Sequence, residues 1–318
     1  MAEIVLGIGA SHTPMLNASL ADWQRYVELD LKRDLLTREG DPTTFDALVQ
    51  TADADMAEKI SAGAMAKRHA RVMQNVKTLE KAVLEARLDT LIVVGDDQQE
   101  LYHDRNMPCM LIYRGATIPN VPLPAKTRGP DWARPMIARY YETERPKDYP
   151  VDAALAHHLI DSLILQEFDV SCSDSVAAGE GEGHAFAFVH NRLLKGHDIP
   201  VVPVCLNTYY PPNQATPRRC YRFGQAIAAA VRSYKKDIRV GILASGGLSH
   251  FTIDEELDSG VLDALKNKDA EYLQSLPARK LQAGSSEIRN WICIAGALEP
   301  LPVTWMDYQP GYRSLAGT

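Results

Sequence analysis

The chain has 318 residues, 46% of them hydrophobic, and a formal net charge of −7 at pH 7. That length and apolar fraction suit a single domain over 1–318, and an acidic balance with no dense basic stretch excludes nucleic acid as the main partner. No run of about 18 apolar residues marks a membrane span, and the N-terminus reads directly as a strand without a signal peptide's basic and apolar regions, so no membrane association and a cytoplasmic location are expected. The five cysteines (Cys109, Cys172, Cys205, Cys220, Cys293) are scattered, odd in number and without a Cys-x-x-Cys pair. They read as reduced thiols serving core packing.

Taken in chain order, Ile4-Val-Leu-Gly-Ile8 predicts a strand over 4–9 that runs into Ala10-Ser-His12-Thr13-Pro14. Trp23, Val27, Leu31 and Leu35 predict a short amphipathic helix, and Gly40-Asp-Pro-Thr-Thr44 predicts a loop and a new helix cap. Residues 51–87 carry Met56, Ile60, Val72, Val76, Leu79 and Val83 close to helical spacing, which makes 20–87 a helical insertion suited to a lid or subunit contact. A strand over 90–95 runs into Gly95-Asp96-Asp97-Gln98, and another is predicted over 108–113. Residues 114–150, rich in Pro, Arg and Tyr, read as a long irregular excursion. Helices over 152–166 and 221–234 enclose a strand over 200–207, and a strand over 238–244 runs into Ser245-Gly-Gly-Leu-Ser249-His250. Continuous Val/Ile/Leu strands alternating with helices predict a single layered α/β domain with a central, mainly parallel sheet flanked by helices.

In such a sheet, ligands bind beyond the carboxyl ends of the strands. Three strand exits that deliver His12, an Asp-Asp-Gln run and His250 therefore point to one metal or acid–base site. Gly7-Ile-Gly9 after a strand does not make a dinucleotide fingerprint, because His12 stands where the third glycine is needed and Pro14 follows it. An unperturbed histidine titrates near neutral pH, which makes His250 a natural general base. Ser249 beside it does not make a serine hydrolase, since sequence neighbours rarely reach the Ser–His geometry and no Gly-x-Ser-x-Gly elbow is present.

Ser285 is expected to cap a helix that carries Glu287, Trp291 and Ile294 on one face. The spacing leaves Glu287 two readings: a complement to the helix dipole, or a buried carboxylate that needs a metal or another cation. His184, in the glycine-rich Gly181-Glu-Gly-His184, suits substrate contact. Of the adjacent His157 and His158 at most one can face a site, and His69, His103 and His197 read as surface residues.

These motifs, with His158-Leu-Ile-Asp-Ser-Leu-Ile-Leu-Gln-Glu-Phe-Asp169, Asn207-Thr-Tyr-Tyr-Pro-Pro212 and Glu287 ahead of Trp291-Ile-Cys-Ile-Ala-Gly-Ala-Leu298, occur in an order that resembles the class III (type II) extradiol ring-cleavage dioxygenases. That group includes the catalytic β subunit of protocatechuate 4,5-dioxygenase and the gallate and 3-O-methylgallate dioxygenases. The resemblance implies non-haem Fe(II), O₂ and a catechol-like substrate, either a gallate- or protocatechuate-type acid or a hydroxypyridone analogue, in a homo-oligomer. It puts metal ligands at His12 and Glu287, the catalytic histidine at His250, and substrate contacts at His184, His158 and Thr13. Gln98 stands where the family has its second histidine ligand, so Gln98, Asp97 and His103 remain alternatives for that position. Arginines and tyrosines over 209–222 and 305–313 are further candidates for holding a substrate carboxylate. A metal-dependent hydrolase on the same fold and a metal-poor, non-catalytic binding homologue are the alternative functions.

Overall fold

The computed structural model describes residues 1–123 and 130–318. Six segments pair into one sheet: β1 (Glu3–Ala10), β2 (Thr90–Asp96), β3 (Met110–Tyr113), β4 (Ser171–Ser173), β5 (Val201–Leu206) and β6 (Arg239–Ser245). Their spatial order is β1-β6-β2-β5-β3-β4. The first four run parallel, β3 pairs antiparallel with β5, and β4 runs parallel to β3. Five of the six coincide with the apolar runs expected from sequence. β4, Ser171-Cys-Ser173, has no such run and is held at the sheet edge by its pairing with β3. The sheet is the mainly parallel one anticipated.

Alternate residues on each central strand enter cores on opposite faces. Ile92, Val94, Val202, Val204, Val240 and Ile242 point into one core. Leu91, Val93, Val201, Cys205 and Leu243 point into the other. Burial on both faces explains why these strands are continuously apolar and do not alternate. The first face is covered by α2 (Ala153–Leu165), α3 (Pro217–Ser233), α4 (Glu255–Asn267) and α5 (Ile288–Ala297), and the second by α1 (Ala62–Glu85) and the helical segment from His184 to Leu194. The helix starts follow local chemistry. Ser61, Asp152, Thr216 and Asp254 each accept a backbone N–H in the first turn of α1 to α4, and Pro217 occupies the first turn of α3.

Four expectations are corrected. The helix over Trp23–Leu35 is two short pieces, Leu20–Arg25 and Val27–Asp30, and Leu35 belongs to a two-residue strand paired with Pro42–Thr43. Thr44 does cap the next helix, Phe45–Gln50. The excursion over 114–150 contains an antiparallel pair, Thr117–Asn120 with Lys147–Pro150, and a helix, Arg134–Ala138; residues 124–129 lie outside the described residues. Cys172 is exposed on the edge strand and packs in no core, and Cys109 is only half-buried. His69 is half-buried, its Nε2 3.0 Å from Ala18 O and its ring edge-on to Trp23.

Candidate active site

Four adjacent parallel strands end together. Ala10 is level with Ser245 and Asp96 with Leu206, so the exits of β1, β6, β2 and β5 share one edge. His12, the Ser245–His250 loop, Asp96–Gln98 and the Asn207–Tyr209 turn meet there. α5 brings Glu287 to the same place by packing closely on β1: a Cβ on Gly9 would lie 2.2 Å from the Trp291 ring, and one on Gly7 would lie 2.1 Å from Leu298. The two glycines thus admit a helix and not a dinucleotide.

The polar side chains form one connected cluster. His12 Nε2 is 3.4 Å from Glu287 Oε2 and 3.1 Å from His184 Nε2. Gln98 Nε2 is 3.3 Å from both Asp96 Oδ2 and Glu287 Oε1. The Tyr209 hydroxyl donates to Glu287 Oε1 at 2.9 Å and lies 3.4 Å from His250 Nε2. Gly247 N–H donates to Glu287 Oε2 at 2.6 Å. Outer contacts fix the imidazoles: His12 Nδ1 faces Ser245 Oγ at 3.2 Å, His184 Nδ1 faces Glu100 Oε2 at 2.7 Å, and His250 Nδ1 faces Leu248 O at 2.8 Å. Each ring thereby directs Nε2 toward the cluster, as second contacts do around metal-binding histidines. Three residues beside these groups, Gln99, Phe251 and Ala283, adopt positive φ of 59°, 72° and 46° without being glycine. Such strain persists only where the surroundings impose it.

The charges are arranged for a cation. Asp96 and Glu287 are fully buried, and among the described residues neither is paired with a lysine or arginine. Burial pushes the Asp96 carboxyl up to about 6, and the negative Glu287 adds to that. Burial also opposes ionisation of Glu287, but His250 and His12 outweigh it and hold the carboxyl well below the usual range. Burial would lower His184, yet the Glu100 carboxylate overrides it and takes the imidazole to about 10. His250 is raised in the same way, burial being outweighed by Glu287. Burial and then Glu287 push the Tyr209 phenol upward. Nitrogen and oxygen atoms of His12, Asp96 and His184 lie within 4.8 Å of one another. Imidazole and carboxylate donors around buried negative charge fit a divalent first-row metal, whose binding would displace the proton from an imidazole.

The residues singled out from sequence separate into two groups. His12, Gln98, His184, His250 and Glu287 come together; Glu287 is the buried carboxylate of its two readings, and Ser285 caps nothing. Of the alternatives to Gln98, Asp97 turns away to accept the N–H groups of Leu101 and Tyr102, at 3.0 and 3.1 Å, and His103 is exposed. The Gln98 amide directs its nitrogen, not its oxygen, at the two carboxylates. The Thr13 hydroxyl accepts Met15 N–H at 3.4 Å and so caps the turn that follows.

His158 is a correction. Its Nε2 lies 2.9 Å from both Ala230 O and Ser233 Oγ at the C-terminal end of α3, which is the amino-end edge of the sheet, opposite the cluster. Ser249 is tied to Asp258 at 2.8 Å through both its hydroxyl and its N–H, which removes it as a nucleophile for His250.

Sequence had given no individual role to Asp96 or Glu100, and had offered Tyr209 only among the residues over 209–222 that could hold a substrate carboxylate. Asp96 was hidden by its acidic neighbour Asp97. Tyr209 had a usable signal, since it follows a fourth strand exit in a turn that Asn207 builds by bonding Tyr210 and Asn213. Glu100, which accepts the His184 N–H and the Tyr141 hydroxyl besides facing the ring, had none.

The chain belongs to the family of catalytic LigB subunits of aromatic ring-opening dioxygenases, whose family model matches residues 56–309. It is also similar to the gallate dioxygenase of Pseudomonas putida, at 31% identity over 173 residues, a match covering 49% of this chain and 49% of that protein. The chain therefore matches about half the length of this curated relative.

Proposed function

We propose that the protein is a non-haem Fe(II) extradiol dioxygenase that opens the ring of a catechol-like substrate: a gallate- or protocatechuate-type acid, or a hydroxypyridone analogue. The observation that carries this reading is the convergence of His12, Gln98, Asp96, His184 and Glu287 with a half-open His250 at the carboxyl edge of four parallel strands. The relative's activity on gallate supports an aromatic acid.

His12, Glu287 and the Gln98 position would hold the metal. With the Gln98 nitrogen turned to the carboxylates, Asp96 is the better donor from that strand exit, and Gln98 then keeps Asp96 and Glu287 together. When bound, the metal supplies a Lewis acid that lowers the pKa of a substrate hydroxyl and offers open positions. The chain's own groups do the rest. His250, with 31% of its side chain exposed against 6% for His12 and 1% for Glu287, is the imidazole that substrate can reach, and it takes a hydroxyl proton and later returns one. Tyr209 holds the proton inventory beside it through its contacts to His250 and Glu287. His184, clamped by Glu100, orients a substrate oxygen, with Thr13 as a second contact. We further propose that 1–318 acts as one catalytic domain with 20–87 as lid or subunit contact, in a cytoplasmic homo-oligomer.

The test is O₂ uptake by anaerobically iron-reconstituted protein with protocatechuate, gallate, 3-O-methylgallate, homoprotocatechuate and 3-hydroxy-4-pyridone. Stoichiometric uptake with a ring-opened product is expected for at least one. Absence of uptake with iron demonstrably bound would refute the reaction for this substrate range, and failure to bind iron would refute the metal site.

A further inference from the structure

Among the described residues, two cations of the segment over 20–60, Lys32 and Arg33, lack an anionic partner; Lys32 is exposed, and Arg33 is the one that is partly buried. Arg33 follows the short helix Val27–Asp30. Both oxygens of Asp30 are taken, by Arg313 at 2.7 and 2.8 Å and by the Thr318 hydroxyl at 2.8 Å. Among the described residues the Arg33 guanidinium makes no ion pair and no hydrogen bond, although it is partly buried. Its Cζ lies 3.7 Å above the centroid of the Phe251 ring. Phe251 in turn packs edge-on against the His250 ring, with centroids 4.7 Å apart. The ring of Phe251, a residue with a left-handed backbone at φ 72°, thus lies between Arg33 and His250.

A cation held one ring away from the proton-transfer imidazole is costly to leave unpaired, because burial removes water from the guanidinium. Burial does act on it in that sense, lowering the Arg33 pKa against the opposing field of Asp30. Contact with an aromatic face consumes none of the five N–H donors of an arginine, so its fork stays free for an oxyanion. Several of the residues expected from sequence to meet a carboxylate are otherwise engaged, Arg313 by Asp30, Tyr209 by Glu287, Tyr308 by Asp258 and Tyr312 by Glu255, whereas Arg218 and Arg222 are exposed on α3.

We propose that Arg33 is the recognition group for a carboxylate on the substrate ring, which makes the substrate class an aromatic acid and gives the 20–60 segment a direct part in the site. This inference rests on the ring-cleavage reading above. A substrate anion would complete the pairing that Asp30 does not supply, through a charge-assisted and often bidentate contact.

Matched pairs of diols isolate the carboxylate: protocatechuate against catechol, and gallate against pyrogallol. Dissociation constants are measured anaerobically by calorimetry on the iron-loaded full chain, as wild type, Arg33→Met and Arg33→Lys, and O₂ uptake is recorded with each compound. In Arg33→Met, affinity for the two acids should fall about ten- to a hundredfold, the span of a charged hydrogen bond, while the neutral diols change less than about twofold. Arg33→Lys should recover part of the acid preference. Equal weakening of acids and neutral diols would make Arg33 a structural clamp on Phe251 and overturn the proposal, as would an unchanged acid preference. Turnover of both acids and neutral diols with no effect of Arg33→Met would sink this inference alone. Absence of both binding and O₂ uptake for every compound with the wild type would sink the ring-cleavage reading beneath it.

Discussion

Exposure divides the labour among the clustered side chains. Glu287 and His12 sit almost wholly inside, where a group can bind an ion but not meet a substrate, whereas His250 keeps nearly a third of its side chain open. Replacing His250 with Phe should therefore leave iron stoichiometry unchanged and reduce turnover about a hundred- to ten-thousandfold, the range of general acid–base catalysis. Loss of iron in that variant, measured by elemental analysis, would make His250 a ligand instead. Glu287→Ala should weaken iron binding by more than the ten- to hundredfold that outer-sphere changes alone cost, and full metal retention would refute Glu287 as a donor. Gln98→His tests the departure at that strand exit. A tighter iron dissociation constant is expected if the position faces the metal, and an unchanged one would leave Asp96 as the sole donor from β2.

At the level of elements, the site depends on α5 lying close against β1 and on the loop after β6 being tied down. A methyl group on Gly9 would enter the Trp291 ring, so Gly9→Ala should cost about 1–3 kcal/mol of overpacking, read from urea denaturation. The β6 loop is held by Asp258 of α4, which accepts from Ser249 N–H, the Ser249 hydroxyl and the Tyr308 hydroxyl. Burial raises the Asp258 carboxyl from 3.8 to about 6. The folded chain thus holds this proton more tightly than the unfolded chain. The resulting stability is full below about pH 4 and is lost as pH rises through about 6, a change of about 3 kcal/mol at 1.36 kcal/mol per pKa unit. Asp258→Asn should abolish that fall when unfolding free energies are compared between pH 4 and pH 7. An identical pH slope in the two proteins would contradict the assignment.

On the scale of the whole molecule, the segment around residue 30 is tied to residues 313–318. Arg313 and Thr318 converge on Asp30, which is buried with them. Removing one partner of such a pair leaves a buried charge, so Arg313→Met should destabilise the protein by about 3–5 kcal/mol. It should also speed proteolytic cleavage within 20–60, followed by mass spectrometry. Cleavage at the wild-type rate would show that this pair does not hold the segment.

How much of this was legible in the sequence follows from the range of the forces involved. β1, β2, β3, β5 and β6 were readable because burial on both faces requires an unbroken apolar run, and that pattern is local. His12, Gln98 and His250 were readable as strand exits because a parallel sheet sends them to one edge. Glu287 was left with two readings, since spacing along α5 cannot report how deep the helix lies; Gly7 and Gly9, far away in sequence, decide that. His158 was misassigned because a helix pattern does not say which end of the sheet its residues face. The excursion over 114–150 looked irregular because its order comes from distant polar contacts, such as the Tyr140 hydroxyl to Thr13 O and the Tyr141 hydroxyl to Glu100. By itself the sequence determined the layered sheet and the edge where chemistry collects, for hydrophobic periodicity and strand polarity are properties of consecutive residues. Only the tertiary structure decided that Asp96, Tyr209 and His184 join the cluster, that Asp97, His103 and His158 do not, and that Arg33 stands one ring away from His250, across Phe251. Those outcomes depend on side-chain direction and on contacts between residues distant in sequence, such as His12 with His184 and Arg33 with Phe251, which no local pattern encodes.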